Sequence, residues 1–196
     1  MVFDTEYGQE LAKKYLGTDS LKTRLEHTNG VAEFAYKVAQ KIKTENPELE
    51  DLDPEFVRFL GYVHDIGYSV DAGKHEVHTI DLLINQEGVP AEVAKKAMHG
   101  QLVEQFGEKE GNAKQYLPVG LDGMILTYAD MSVRTGGPIP IRDRAKEIIE
   151  RIQGIPNMPP ELKKDITNNM YKALPRFERY EKIVLSLAGV NSAEEF

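Results

Sequence analysis

An all-α fold is what this sequence of 196 residues predicts. Three observations carry the prediction. Apolar residues recur at helical spacing through most of the chain. No segment alternates apolar and polar residues as a half-buried strand would. Turn-forming Gly, Pro, Asn and Asp fall between the periodic stretches rather than within them.

Residues 6–16 read as a short amphipathic helix, with Tyr7, Leu11, Ala12 and Tyr15 on one face. Gly17 ends it, and Asp19 or Ser20 can cap the next helix. That second helix covers about residues 21–43. Leu21, Leu25, Val31, Phe34, Ala35, Val38 and Ile42 form its apolar stripe, and His27 falls in its first half. Pro47 and the acidic residues 48–53 make a solvated connection. Asp53 is then a cap and Pro54 suits the first helical position. Phe56, Val57, Phe59, Leu60 and Val63 keep a helical period, and Gly67 offers a stop, which places His64 and Asp65 in the last turn.

Residues 69–74 have turn chemistry, with Asp71 and Gly73. His75 opens a helix through residue 86, stopped by Gly88. Residues 90–106 read as one further helix with His99 in its middle, and 108–115 as a polar loop or short helix. Residues 120–133 look like a central helix with Asp130 near its end. The Gly and Pro content of 134–140 marks a loop. Helices over 141–152, 161–174 and 175–187 complete the chain, with a loop at 154–160.

Composition narrows the chemistry. With no cysteine, disulfides and thiolate metal sites are excluded, so any transition metal is held by His, Asp or Glu. A net charge of −8 argues against broad nucleic-acid binding, which needs clustered Lys and Arg. It leaves room for a small phosphorylated substrate, because a bound metal dominates its local field. No apolar run reaches the roughly 18 residues that span a bilayer, so no membrane association is expected. Residues 1–14 carry Asp4, Glu6 and Glu10 and lack a basic region followed by an apolar one. A secretory signal is therefore not expected, and a cytoplasmic location is. No feature specifies an oligomeric state.

Five histidines, His27, His64, His75, His78 and His99, fall on predicted helices, while Asp65 and Asp130 lie at the ends of the most apolar ones. A carboxylate beside a core helix needs a partner, because burying an unpaired charge is costly. A divalent metal is one such partner. Two nitrogens and two carboxylates, with positions left for water or substrate, suit Mn, Fe, Co, Ni or Mg. Two more histidines can hold a second ion.

The order His27, His64-Asp65, Asp130 resembles the signature of the HD-domain metal-dependent phosphohydrolases. His64-Asp65-Ile66-Gly67 is similar to the His-Asp-Ile-Gly variant of their second motif, and Arg24-Leu25-Glu26-His27-Thr28-Asn29-Gly30-Val31 to their first. Lys74-His75-Glu76-Val77 followed by Ile80, Leu82 and Leu83 resembles the third motif of the two-metal members. Gly88-Val89-Pro90 with Val93 and His99 resembles the fourth, and Thr127-Tyr128-Ala129-Asp130 the last. The likeness makes residues 21–144 a motif core and 145–196 a helical C-terminal extension of one domain, 1–196. Within the family, the HD-type diadenosine tetraphosphate hydrolases resemble the chain in the Arg-x-x-His start and in the His75 and His99 positions.

The resemblance implies an HD-domain-like helical bundle holding one or two divalent ions. Its ligands would be His27, His64, Asp65 and Asp130, with His75 and His99 on a second ion and Asp65 as bridge. His78 competes with His75, which is preferred because the apolar positions after it keep the family's offsets; His78 would instead contact substrate. The reaction implied is in-line attack on phosphorus by a metal-activated water, with His64 and Asp65 at its centre, on a small substrate such as a nucleotide. Lys74, Arg134 and Arg142 are candidates for holding phosphate, and Arg24 for lining the site or pairing with a ligand carboxylate. The alternative reading is a non-catalytic regulatory module that binds metal and nucleotide.

Overall fold

The computed structural model describes residues 2–101, 103–107, 110–134 and 137–196. Helix α1 spans Thr5–Leu16 and is capped by the Asp4 carboxylate, which accepts from the Tyr7 amide. Helix α2, Lys22–Glu45, buries Val31, Ala32, Phe34, Ala35, Val38, Ala39 and Ile42. Leu21 and Leu25, expected in the same stripe, are only half-buried at its start. Helix α3, Pro54–Val63, begins as expected, with the Asp53 side chain accepting from the Glu55 amide and Pro54 in the first turn.

The α2–α3 contact is close because position 61 has no side chain. A Cβ on Gly61 would come within 2.4 Å of the Ala32 Cα, so any larger residue would push the two helices apart. Gly67 acts similarly, and this corrects the expectation of a glycine helix stop. The helix ends at Val63 and the chain tightens into a 3-10 turn over Ile66–Ser69, with no left-handed residue there. A Cβ on Gly67 would lie 2.0 Å from the His75 carbonyl oxygen. Gly67 is thus needed for the approach of helix α4, His75–Asn85.

The stretch expected as one helix over 90–106 is broken. A short helix α5, Ala91–Ala94, passes through a 3-10 turn at Lys95–Ala97. Met98 is then extended and Gly100 sits at φ +78, a conformation that favours glycine. A wide π-type turn follows over Val103–Gly107. Residues 108 and 109 of the predicted polar loop lie outside the described residues, and Ala113–Tyr116 forms a 3-10 turn.

Helix α6, Gly120–Asp130, is central, with Ile125, Leu126, Thr127, Tyr128 and Ala129 fully buried. It stops at Asp130 rather than at residue 133. Val133–Arg134 (β1) pairs antiparallel with Gly137–Pro138 (β2), a minimal hairpin where a loop was expected. Thr135 and Gly136 lie outside the described residues. Helix α7 is Ile141–Gln153 and helix α8 is Pro160–Ala188. The last two predicted helices are therefore one, with Pro175 inside it. Proline removes one backbone donor, but Ala173, Phe177, Val184 and Ala188 form one buried stripe. Through it α8 packs on α2, α6 and α7, and that burial carries the helix across the proline. Among the described residues no helix is long and apolar enough to cross a membrane.

Candidate metal centre

Helices α2, α3, α4 and α6 and the His99 segment converge on one polar cluster inside the bundle. His64, Asp65, His75, His99 and Asp130 are buried there, and His27 is half-buried at its edge. The six residues form two triads. His27, His64 and Asp130 bring one donor atom each within 4.8 Å of one another, and so do Asp65, His75 and His99. His27 Nε2 lies 2.9 Å from Asp130 Oδ1, and His64 Nε2 lies 3.6 Å from the same oxygen. His75 Nε2 is 3.4 Å and His99 Nε2 4.0 Å from Asp65 Oδ1. Two donors each about 2.1 Å from a shared ion are at most about 4.2 Å apart, so these separations fit chelation. The triads meet at Asp65, whose Oδ1 faces His75 while its Oδ2 lies 3.4 Å from His64 Nε2.

Tautomers follow from backbone contacts. His64 Nδ1 lies 2.7 Å from the Gly61 carbonyl, His75 Nδ1 3.0 Å from that of Ala72, and His99 Nδ1 3.2 Å from that of Ala97. A carbonyl only accepts, so each Nδ1 carries hydrogen and donates. In its neutral form each ring then turns a bare Nε2 into the cluster. His75 Nε2 and His99 Nε2 stand 3.2 Å apart, two lone pairs that need a cation between them. His64 Nε2 is buried without a hydrogen-bond partner. Orphaned ring nitrogens beside two buried carboxylates are what a divalent-ion site requires, and the residues present fit one.

Burial disfavours the charge on Asp65, but His64, His75 and Arg24 outweigh it and hold the carboxyl below its usual range. Burial likewise opposes ionisation of Asp130; its hydrogen bond with His27 and the nearby His64 and His99 pull its pKa well down. Burial would lower the His64 pKa, yet the neighbouring Asp65 and Asp130 raise it to about 9, so without an ion the ring holds a proton on Nε2 that a bound ion would displace. Burial and the adjacent His99 keep that of His75 below the ordinary value despite Asp65.

A second layer of contacts fixes the cluster. Arg24 donates to Asp65 Oδ2 at 2.8 Å, and its guanidinium lies 3.8 Å from the centre of the Tyr68 ring. Gln101 donates to Asp130 Oδ2 at 2.6 Å. Glu76, fully buried, collects three amides: His99 and Gly100 on Oε2 at 3.3 and 3.0 Å, Gln101 on Oε1 at 2.6 Å. These bonds replace the helical pattern and explain why the chain around His99 is not a helix. From α8, Arg176 grips Glu104 through two nitrogens and donates to the Gly100 carbonyl at 2.7 Å.

Sequence reading missed Glu76, Gln101 and Arg176. Glu76 had a signal, a carboxylate beside His75 on the inner face of a helix. Other sequence-level candidates sit elsewhere. His78 is half-buried on α4, outside both triads. Lys74 is exposed, with its ammonium 4.8 Å from the centre of the Phe106 ring. Arg142 is exposed and paired with Glu178 of α8. Arg24 and Arg134 line a cavity of about 550 Å³ that reaches the cluster at His27.

No solved structure matches the chain at a significant level. Among curated proteins, an uncharacterised protein of Methanocaldococcus jannaschii is 30% identical over 132 residues, which cover 65% of this chain and 76% of that protein. The deoxynucleoside triphosphate triphosphohydrolase SAMHD1 homolog of Dictyostelium discoideum is 39% identical over 74 residues, 33% of this chain and 14% of that protein. The HD domain family model matches residues 24–134, a span that begins at the arginine before His27 and contains both triads. The chain therefore belongs to the HD-domain family.

Proposed function

We propose that this chain is a phosphohydrolase that uses one or two divalent ions to cleave a phosphate ester or anhydride of a nucleotide or similar small molecule. The observation that carries the reading is the pair of buried donor triads joined at Asp65. Family membership supports a metal-dependent phosphohydrolase kind of function, and the D. discoideum relative, named for its action on deoxynucleoside triphosphates, favours a nucleotide.

His27, His64 and Asp130 would hold one ion, and Asp65, His75 and His99 a second. Oxygen and nitrogen donors of this kind suit Mn, Fe, Co, Ni or Mg. Ions bound there would polarise a phosphoryl oxygen and acidify a water for attack on phosphorus. The chain's own residues prepare that step. The carbonyls of Gly61, Ala72 and Ala97 orient three imidazoles with Nε2 inward. Gln101 and Arg24 orient Asp130 and Asp65. Arg24, held over the Tyr68 ring, bonds Asp65 and lines the cavity, where it can meet a phosphate oxygen.

The test is a screen of nucleoside mono-, di- and triphosphates, diadenosine tetraphosphate and a simple phosphodiester with each of the five metals, read as product identity and phosphate release. Metal-dependent turnover that disappears in Asp65→Ala is expected. Specific metal and nucleotide binding without turnover of any substrate would replace this reading with the regulatory-module one.

A further inference from the structure

The cavity beside the metal cluster is built from two parts of the chain. Arg24 and His27 belong to the family-matched span, and Arg134 is its last residue. Arg144 and Arg151 come from α7, outside that span. Four guanidinium groups thus face one space of about 550 Å³, against two carboxylates, Glu26 and Glu147. In a chain of net charge −8, this local excess of cation runs against the overall balance.

The arginines are incompletely paired. Arg144 is 6% exposed, and its Nη1 donates to Glu147 at 3.0 Å. Its Nε is buried with no partner, and so is Glu147 Oε2. Among the described residues no carboxylate lies within ion-pairing distance of Arg134 or Arg151. Burial lowers the Arg151 pKa, and repulsion from Arg144 and Arg24 lowers it further. Cations that repel one another around an accessible space form a receptor for an anion with several oxygens. Among the described residues, Arg24 pairs with one of the six donor residues, Asp65, whereas Arg144 and Arg151 pair with none of them.

We propose that Arg144 and Arg151 form a subsite for a second phosphate of the same substrate, so that the substrate class is compounds with two or more linked phosphates. This deepens the phosphohydrolase reading and rests on it for the identity of the attacked group. The subsite itself is a binding property that does not depend on turnover.

The test is calorimetric titration of the full-length, metal-free protein with tripolyphosphate and with orthophosphate, at fixed salt. Metal-free protein is used because tripolyphosphate sequesters divalent ions. Expected is tripolyphosphate binding tighter than orthophosphate by more than tenfold. Arg151→Gln should weaken it about tenfold, as loss of one charge-assisted contact does. Arg144→Gln should do the same, provided circular dichroism shows a native fold. Lys146→Gln makes the same charge change on α7, at an exposed residue that does not line the cavity, and should leave affinity unchanged. Equal affinity for the two anions, or equal weakening by Arg151→Gln and Lys146→Gln, overturns the subsite. Turnover of monophosphates alongside such a result would leave the phosphohydrolase reading standing, whereas tight tripolyphosphate binding without any hydrolysis would remove that reading and keep the subsite.

Discussion

The two donor triads are neighbours that are built differently. His27, His64 and Asp130 lie in α2, just past α3 and at the end of α6, three helices that pack on one another through the core. Apolar packing specifies where those donors go. Asp65, His75 and His99 depend on irregular backbone: the residue before a 3-10 turn, the first residue of α4, and an extended stretch before Gly100. Within that triad the His99 segment is placed by polar bonds from Glu76 and Arg176, not by a regular helix. Packing is distributed over many contacts and tolerant of single changes, whereas a few buried hydrogen bonds fail one at a time. The second triad should therefore be the one that single substitutions disable.

The largest effect falls where the triads join. Asp65→Ala should remove metal from both sides and lower turnover by more than about a hundredfold, beyond what loss of an outer partner causes. Asp65→Asn, which keeps shape and loses charge, should come close. Full activity in a folded Asp65→Ala protein would remove the bridge from the mechanism.

His75→Ala should cost one ion per chain and leave the other in place. His78→Ala should keep full metal content and alter at most substrate affinity. Elemental analysis of both variants beside the parent decides this. Loss of metal in His78→Ala alone would shift the third motif by one helical turn.

Glu76→Gln tests the asymmetry directly. An amide has one acceptor oxygen in place of two, so at least one of the three amides at His99, Gly100 and Gln101 loses its partner. Affinity for the second ion should fall about tenfold to a hundredfold, with the first ion unchanged in a competitive chelator titration. Equal weakening of both ions would mean that the triads are not separately supported.

Arg176→Lys should give the smallest change. Lysine keeps the charge but not the fork that holds Glu104 and the Gly100 carbonyl together. A loss of about 1 kcal/mol in stability and a severalfold drop in second-ion affinity are expected from thermal unfolding and the same titration. An unchanged second ion would show that Glu76 suffices to hold the His99 segment.

The same asymmetry explains what could be read from the sequence. His27 and Asp130, on sustained helical periods, were legible with their helices, because amphipathic spacing records burial directly, whereas the helix expected to carry His64 and Asp65 in its last turn ends at Val63. His99 was found as a residue while its helix was not. The bonds that break that helix come from Glu76, 23 to 25 positions away, and a contact across such a distance leaves no periodic trace. Gly67 was noticed for the wrong reason, since a glycine required by close approach and one required by a left-handed turn look alike in one sequence. The hairpin at residue 133 is only two residues per strand, too short to alternate. Arg144 and Arg151 were hidden for a related reason. On a highly charged helix nothing local separates an arginine that faces a cavity from one that faces solvent.

The hydrogen bonds from the three imidazoles to carbonyls two or three residues earlier have a consequence for assembly. Gly61 and His64, Ala72 and His75, and Ala97 and His99 each belong to one local turn. Ring orientation and tautomer are thereby set by contacts within a few residues of each histidine. Closing the cluster then confines few imidazole rotamers, and little side-chain entropy is left to lose when donors gather around an ion. The fold has only to carry three preset rings to one place.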